Sequence, residues 1–448
     1  MAGEKENIKN LLDRVVEAYE WTVKRLERTI LFGIRLVIPN KIVSPHGFLG
    51  MLTFITFIIL GVTGVLLMFY YRPSLAEAYD SVALINNEVD FGIVIRNIHY
   101  HASNLMVFLA IYHLFYQLFS SRYKIRNEVI WVTGVILGTL TIIEAYIGYD
   151  LIMNVRAVLA INIGAALTYS TPFIGPILAN IVIGTGFDDL ILRIYTLHVL
   201  LIPMIMIILF TLHFPRNLVF DPGMTGIIVG ALFITSALFP VPLGDKYTPE
   251  FPAQVTVPEW YINPLYALLR TELDKFVMGV LLPTLFIMMF MVVPFIDRSK
   301  SMKITERPLV LGIGISGILQ SIVTTVWGFY VDPDPRKNYL ERIAIDPYLF
   351  FGVLILINVI SFSSAYLYSK YSKKFSTPQK RVKSEPIRIS QDTIEGIVYA
   401  MIIAELYVVG LSLYMYLRGD LTFALITTGL SLIIFGFISY GIRLIGSR

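Results

Sequence analysis

Ten runs of apolar residues, each about the length of helix needed to cross a bilayer core, decide what this chain can fold into. They fall at about 48–70, 98–120, 129–149, 194–214, 224–243, 276–296, 309–330, 348–368, 395–417 and 421–441. Inside lipid every backbone N–H and C=O must find its partner within the segment, so runs of this length are helices. Of the 448 residues, 56% are hydrophobic and only 15% charged. That excludes a water-soluble enzyme of a few domains, and it excludes disorder. The expected fold is an all-α membrane protein of about ten transmembrane helices.

Charge placement sets the expected orientation. A net charge of +4 gives no footprint for nucleic acid. With a cytoplasmic N-terminus, however, 25 of the 36 Lys and Arg residues fall on cytoplasmic segments, as the positive-inside rule requires. Both termini are then cytoplasmic and the chain sits in the plasma membrane. The uncharged stretch 157–187 is long enough for an eleventh span, but a crossing there would turn over every later loop and leave 19 against 17. Gly164, Pro172, Gly175, Pro176 and Gly184 also divide it, so two short helices on the outer surface are expected.

No removable signal peptide is expected. Residues 1–47 are polar and basic, with an apolar stripe at Ile8, Leu11, Leu12, Val15, Tyr19, Val23 and Leu26. That spacing suits a helix lying on the membrane surface, or equally a soluble cap helix. The organisation read from the chain is this amphipathic segment (1–47), a bundle (48–220), a second membrane region (221–370), and a basic loop with two further helices (371–448). The basic run at Lys370, Lys373, Lys374, Lys380, Arg381, Lys383 and Arg388 reads as solvated charge at the membrane surface.

The chain has no cysteine, which removes disulfides, iron–sulfur ligation and thioether-linked haem. Any metal must be held by carboxylates or by the six histidines: His46, His99, His101, His113, His198 and His213. Four of them form pairs on two spans, His99 with His113 and His198 with His213. Fourteen helical steps return to within about 40° of the starting face roughly 21 Å further on, and fifteen give about 60° and roughly 22 Å. Each helix thus presents one histidine near each membrane face. Side by side, two such helices offer two bis-histidine sites stacked across the bilayer, a standard arrangement for haem iron. A lone histidine in a span is more often a packing residue or part of a proton path, but four at matched depth are not explained that way. His99 and His198 share the outer level, and His113 and His213 the inner one. His101 lies about 200° around the helix from His99 and is expected to be structural. Gly50/Gly64 and Gly134/Gly148 repeat the fourteen-residue spacing on two other spans, where a macrocycle needs neighbouring backbones without side chains. The bundle is therefore expected to be a di-haem four-helix bundle, followed by C-terminal helices.

Several segments resemble the cytochrome b family, the membrane core of quinol-oxidising bc-type complexes. Arg96-Asn97-Ile98-His99 is similar to the family's Arg-x-x-His, and Arg193-Ile194-Tyr195-Thr196-Leu197-His198 to the start of its fourth helix. Gly148-Tyr149-Asp150-Leu151 and Pro172-Phe173-Ile174-Gly175 resemble its outer loop, and Pro258-Glu259-Trp260-Tyr261 is the intact PEWY motif of its outer quinol site. Phe69-Tyr70-Tyr71-Arg72-Pro73, Trp131-Val132-Thr133-Gly134 and the fifteen-residue histidine spacing resemble the photosynthetic, split branch, although the two halves are fused here. The resemblance is good over about 47–300, thin over 300–370 and absent after 390. Leu151-Ile152-Met153 replaces the family's Leu-Pro-Trp, and Phe48 stands where the photosynthetic branch has its haem-bearing cysteine.

The resemblance implies a respiratory quinol oxidoreductase with two non-covalent haems, b-type or a-type. Quinol would be oxidised at the outer face, with electrons crossing to an inner quinone site and protons translocated. Glu259 is the expected catalytic base, because a carboxylate in a partly apolar pocket gains proton affinity. Tyr261 and Tyr149 offer hydroxyls. Arg96 and Arg193 are expected partners of the outer haem's propionates, with Arg216 their inner counterpart and Asp221 a candidate at the inner quinone site. Glu144 and Glu405 are ionisable groups at membrane depth, explained by function or by an interhelical hydrogen bond. Expected partners are a Rieske iron–sulfur protein, a downstream acceptor (cytochrome, copper protein or terminal oxidase) and a second copy of the chain. Two other readings stay open: a di-haem anchor relaying electrons between a dehydrogenase and the quinone pool, and a transporter whose histidines carry protons.

Overall fold

The computed structural model describes residues 10, 12–20, 30–31, 34–39, 48–125, 128–184, 186–214, 217–248, 256–375 and 390–446. His46, Arg216, Ile8, Leu11, Val23, Leu26 and most of the 370–388 basic run lie outside them.

The protein is an all-α membrane protein. Among the described residues, eight helices are long and apolar enough to span a bilayer. They are α1 (Leu49–Met68), α3 (Gly92–Phe119), α4 (Glu128–Asp150), α7 (Asp188–His213), α11 (Pro308–Phe329), α12 (Pro347–Phe375), α13 (Gln391–Leu417) and α14 (Leu421–Gly446). Two of the ten runs form shorter apolar helices, α8 (Pro222–Leu238) and α10 (Val277–Met291). Between the spans lie α2 (Ala78–Asn87), α5 (Val155–Ser170), α6 (Gly175–Val182) and α9 (Asn263–Leu269). The uncharged stretch after Arg156 thus folds into two short helices, α5 and α6, divided at Pro172.

Helices α1, α3, α4 and α7 form a four-helix bundle in which α1 packs on α3, α3 on α4 and α4 on α7. Phe54 and Phe57 of α1 close the ring by edge-on contact with Phe210 of α7. The outward faces are apolar, as lipid requires: Val62, Val326, Ile403 and Leu406 are each more than half exposed. Hydroxyls inside the bundle return to the backbone, with Thr56, Thr63 and Thr133 each donating to the carbonyl four residues earlier.

One local feature departs from an ideal helix. Leu197–Leu201 forms a π turn within α7, and Val277–Leu281 forms one at the start of α10. In each case a proline, Pro203 or Pro283, follows two residues later. Proline has no N–H to donate and its ring crowds the carbonyl four residues back, so the chain widens by one residue ahead of it. The widened turn absorbs the extra residue between His198 and His213. Their fifteen-residue spacing therefore acts like the fourteen of His99 and His113, instead of drifting the other way around the helix.

The two C-terminal helices are fastened to the bundle through α8. Gly223, Gly226 and Gly230 lie against Gly436, Leu432 and Gly429 of α14, so closely that a Cβ on Gly230 would come within 2.3 Å of the Gly429 carbonyl oxygen. Small residues let the two backbones touch. At the end of this seam Asp221, which caps α8 by accepting from Met224 N, meets Arg443 of α14 through two charge-assisted bonds of 2.6 and 3.0 Å. Both side chains are essentially sealed from solvent. Residues 12–20 are helical, and Leu12 is buried against Ile394, Val398, Ile438 and Ile442. Of the described stripe residues, Leu12 and Tyr19 pack against α13 and α14, whereas Val15 is exposed and its neighbour Val16 packs instead. A small sheet completes this end: Ile30–Leu31 pairs antiparallel with Ile34–Val37, which pairs parallel with Asn217–Val219.

Candidate functional site

The four span histidines come together in two pairs inside the bundle. The level holding His99 and His198 is termed upper here, and that holding His113 and His213 lower. Ring centres are 6.3 Å apart in the upper pair and 6.4 Å in the lower, with the ring planes at 78° and 80°. Two imidazoles bound to opposite sides of one metal, each through a bond of about 2 Å, place their centres roughly 6 Å apart. Each ring faces one of the four glycines. A Cβ would lie 3.3 Å from His99 at Gly64, 3.4 Å from His113 at Gly50, 2.7 Å from His213 at Gly134 and 2.5 Å from His198 at Gly148. Around the lower pair the bundle encloses a cavity of about 300 Å³, lined among others by Gly50, Gly134, Met206 and Arg122.

Hydrogen bonds at Nδ1 hold the His99 and His213 rings. His99 Nδ1 is 2.9 Å from Thr63 Oγ1, whose own hydrogen goes to the Ile59 carbonyl. His213 Nδ1 is 2.9 Å from the Ile130 carbonyl oxygen, with Thr133 Oγ1 at 3.5 Å. His198 Nδ1 is 3.0 Å from the Glu144 carboxylate. His101 points elsewhere, and its Nε2 donates to the Phe239 carbonyl at 2.7 Å.

Above the upper pair, residues 256–262 carry Glu259 between α8 and α9. Its side chain is only 11% exposed and has two partners: Arg156 Nη2 lies 3.1 Å from one oxygen, and the Tyr100 hydroxyl lies 3.2 Å from each. Trp260 Nε1 donates to Asn104 Oδ1 at 2.9 Å and pins the loop to α3. The Tyr261 hydroxyl reaches the Ala145 carbonyl at 3.3 Å. Burial and the nearby Glu259 charge push the Tyr261 phenol well up, so it remains a proton donor. The Arg156 guanidinium also lies 5.2 Å above the Tyr149 ring, whose hydroxyl is buried without a hydrogen-bond partner.

Several residues occupy places the sequence reading did not give them. Arg156 and Tyr100 were not singled out, although both hold Glu259. The signal for Arg156 was its position as the last charge before an uncharged run facing the PEWY level. Arg122, which opens onto the lower cavity, was also missed. Arg96 is buried and donates to the Val241 and Pro242 carbonyls at 2.9 and 3.3 Å, while Arg193 donates to those of Asn180 and Ile181 at 2.5 and 2.6 Å. Asp221 is committed to Arg443, and Glu405 Oε1 accepts from Ser431 of α14 at 2.6 Å.

Comparison with known proteins matches this architecture in two blocks. The family profile described as cytochrome b/b6/petB matches residues 34–217, and that described as cytochrome b (C-terminal)/b6/petD matches 248–349. Cytochrome b6 of Prochlorothrix hollandica is 33% identical over 202 residues, covering 44% of this chain and 90% of the relative. That of Porphyra purpurea is 34% identical over 202 residues, with 44% and 93% covered. A solved structure titled "Hyperthermophilic respiratory Complex III" shares the fold at a TM-score of 0.58 and 21% identity, covering 75% of this chain and 95% of that one.

Proposed function

Because the chain belongs to the cytochrome b family, we propose that it is the membrane subunit of a bc-type quinol-oxidising complex, with two haems held inside its four-helix bundle. The observation that carries this reading is the pair of imidazole couples, with ring centres 6.3 and 6.4 Å apart and each ring faced by a glycine. A side chain at Gly148 or Gly134 would press on the facing ring, and at Gly64 or Gly50 it would only touch it; bare backbone leaves room for a flat macrocycle. When bound, each haem supplies a one-electron centre buried in the membrane.

The chain's own residues do the rest. His99 and His198 would hold a haem at the upper level, and His113 and His213 one at the lower. Gly64, Gly148, Gly50 and Gly134 clear the space beside them. Arg122 is placed to meet acidic groups at the lower level, and Arg96 and Arg193 do so at the upper level by releasing their carbonyl partners. Glu259 accepts a proton from quinol bound beside the PEWY loop. Tyr100 and Arg156 orient its carboxylate. Tyr261, kept protonated, offers a hydrogen bond to the substrate. In this reading the upper level faces the outside, both termini are cytoplasmic, and the macrocycles are b-type. Electrons cross to an inner quinone site with proton translocation. The working partners are a Rieske protein, a downstream acceptor and a second copy of the chain. Asp221, locked in its ion pair, is not a ligand of the inner quinone.

A redox titration of the purified protein with haem extraction tests this. The expected result is two haems per chain, both removed by acidified organic solvent and titrating at separate potentials. Absence of haem bands after dithionite reduction would return the histidines to a transport role.

A further inference from the structure

The upper and lower histidine pairs match in separation and angle, yet the Nδ1 atoms of the two α7 histidines meet different chemistry. His213 Nδ1 faces a neutral backbone carbonyl, that of Ile130 at 2.9 Å. At the corresponding place His198 Nδ1 lies 3.0 Å from a carboxylate oxygen, Glu144 Oε1, and its hydrogen-bonding capacity is otherwise unmet. Glu144 stands four residues before Gly148, so the acid and the glycine that clears the same ring share one face of α4. The two side chains are 19% and 18% exposed within the bundle, and the second oxygen of Glu144 is buried without a hydrogen bond. The carboxylate is therefore directed at this imidazole and at nothing else among the described residues.

We propose, on the haem-binding reading above, that Glu144 is a positioning residue that sets the reduction potential of the upper haem through His198. With Nε2 free to hold a haem iron, Nδ1 would carry the hydrogen and the carboxylate oxygen 3.0 Å away would accept it. This fixes the tautomer and ring orientation and makes the imidazole a stronger donor. A more electron-rich axial ligand and a negative charge one residue away both favour the ferric state. At the lower level a carbonyl dipole replaces the charge, so the same stabilisation is missing.

Spectroelectrochemical titration of the haem-loaded protein, wild type against E144Q, tests the assignment. Glutamine keeps the length and one accepting oxygen but loses the charge. The expected result is a tenfold shift of one haem's oxidised-to-reduced equilibrium towards the reduced form, about 59 mV for a one-electron couple, with the other haem unmoved. E144D is expected to restore part of the shift. Two haems present with both potentials unchanged in E144Q would overturn the role of Glu144 and leave the haem reading standing. Wild type without two haems would defeat the haem reading itself. If E144Q fails to load the upper level, the ferric low-spin resonances of wild type decide: the upper haem should show the stronger axial field, and equal fields at the two haems would overturn the proposal.

Discussion

In the upper half of the bundle His99 and His198 stand 6.3 Å apart, and in the lower half His113 and His213 stand 6.4 Å apart at nearly the same angle. The acids around them are treated in opposite ways. Above, the second oxygen of Glu144 and Oδ1 of Asp150 are buried without a hydrogen bond, and Glu259 keeps partial access beside a single arginine. Below, Asp221 is clamped by Arg443 on two bonds. Asp297 gathers Lys124 at 2.9 Å, Arg307 at 3.3 Å and the Tyr123 hydroxyl. Above, Glu259 has one cation beside it and Glu144 and Asp150 have no Lys or Arg among the described residues, whereas below each acid that fastens helices is held by at least one cation. A buried charge costs several kcal/mol unless it is paired or neutralised by a proton, and buried acids without a cation cluster at functional sites.

The largest expected effect probes what the two levels share. Alanine at Gly148 or Gly134 puts a Cβ 2.5 or 2.7 Å from a histidine ring, and each change should remove most haem from its own level. Alanine at Gly64 or Gly50, at 3.3 and 3.4 Å, should leave both haems in place. Haem quantified by difference spectra checks this, and equal loss from all four would mean that the α1 and α4 glycines are not distinguished by contact.

The next two variants separate the levels. D221A strips a sealed ion pair of one partner and should destabilise the protein by about 3–5 kcal/mol, read as lower unfolding resistance in detergent, with turnover per haem unchanged. E259Q should do the reverse, cutting quinol oxidation about 100-fold or more while melting and haem content stay at wild-type values. Loss of turnover in D221A, or full turnover in E259Q, would erase the contrast; the second result would also favour the relay reading.

The smallest effect concerns acid. Burial pushes Asp297 up, but hydrogen bonds from Tyr123 and Lys124 and the Arg307 charge outweigh it and hold its carboxyl below the ordinary value. Its stabilising contribution is then fully present above about pH 4 and is lost as pH falls through the lowered folded value. Melting between about pH 6 and pH 3 should fall more steeply in wild type than in D297N. Parallel curves would remove Asp297 from the fastening network.

What could be read in the sequence followed from period and length. The spans announced themselves by apolar runs, the break in 157–187 by Pro172 and the glycines, and the histidine levels by a spacing that barely turns the helix. The π turn at Leu197–Leu201 left no periodic trace, because one extra residue does not alter an evenly apolar run; Pro203 was the only mark. The attachment of the last two helices was hidden for another reason. Asp221 and Arg443 are 222 residues apart, and the α8–α14 seam rests on glycines that carry no pattern without a partner to set them against. Arg156 and Tyr100 escaped because their meaning depends on Glu259, which lies on a loop more than a hundred residues away.

Replacing each of the four span histidines by alanine in turn, and recording the reduced spectrum with haem stoichiometry, tests the central claim most directly. H99A and H198A should lose the same chromophore, H113A and H213A the other, and each variant should keep one haem. If H99A and H113A deplete one chromophore together, or if all four variants retain both haems, the two stacked bis-histidine sites do not exist.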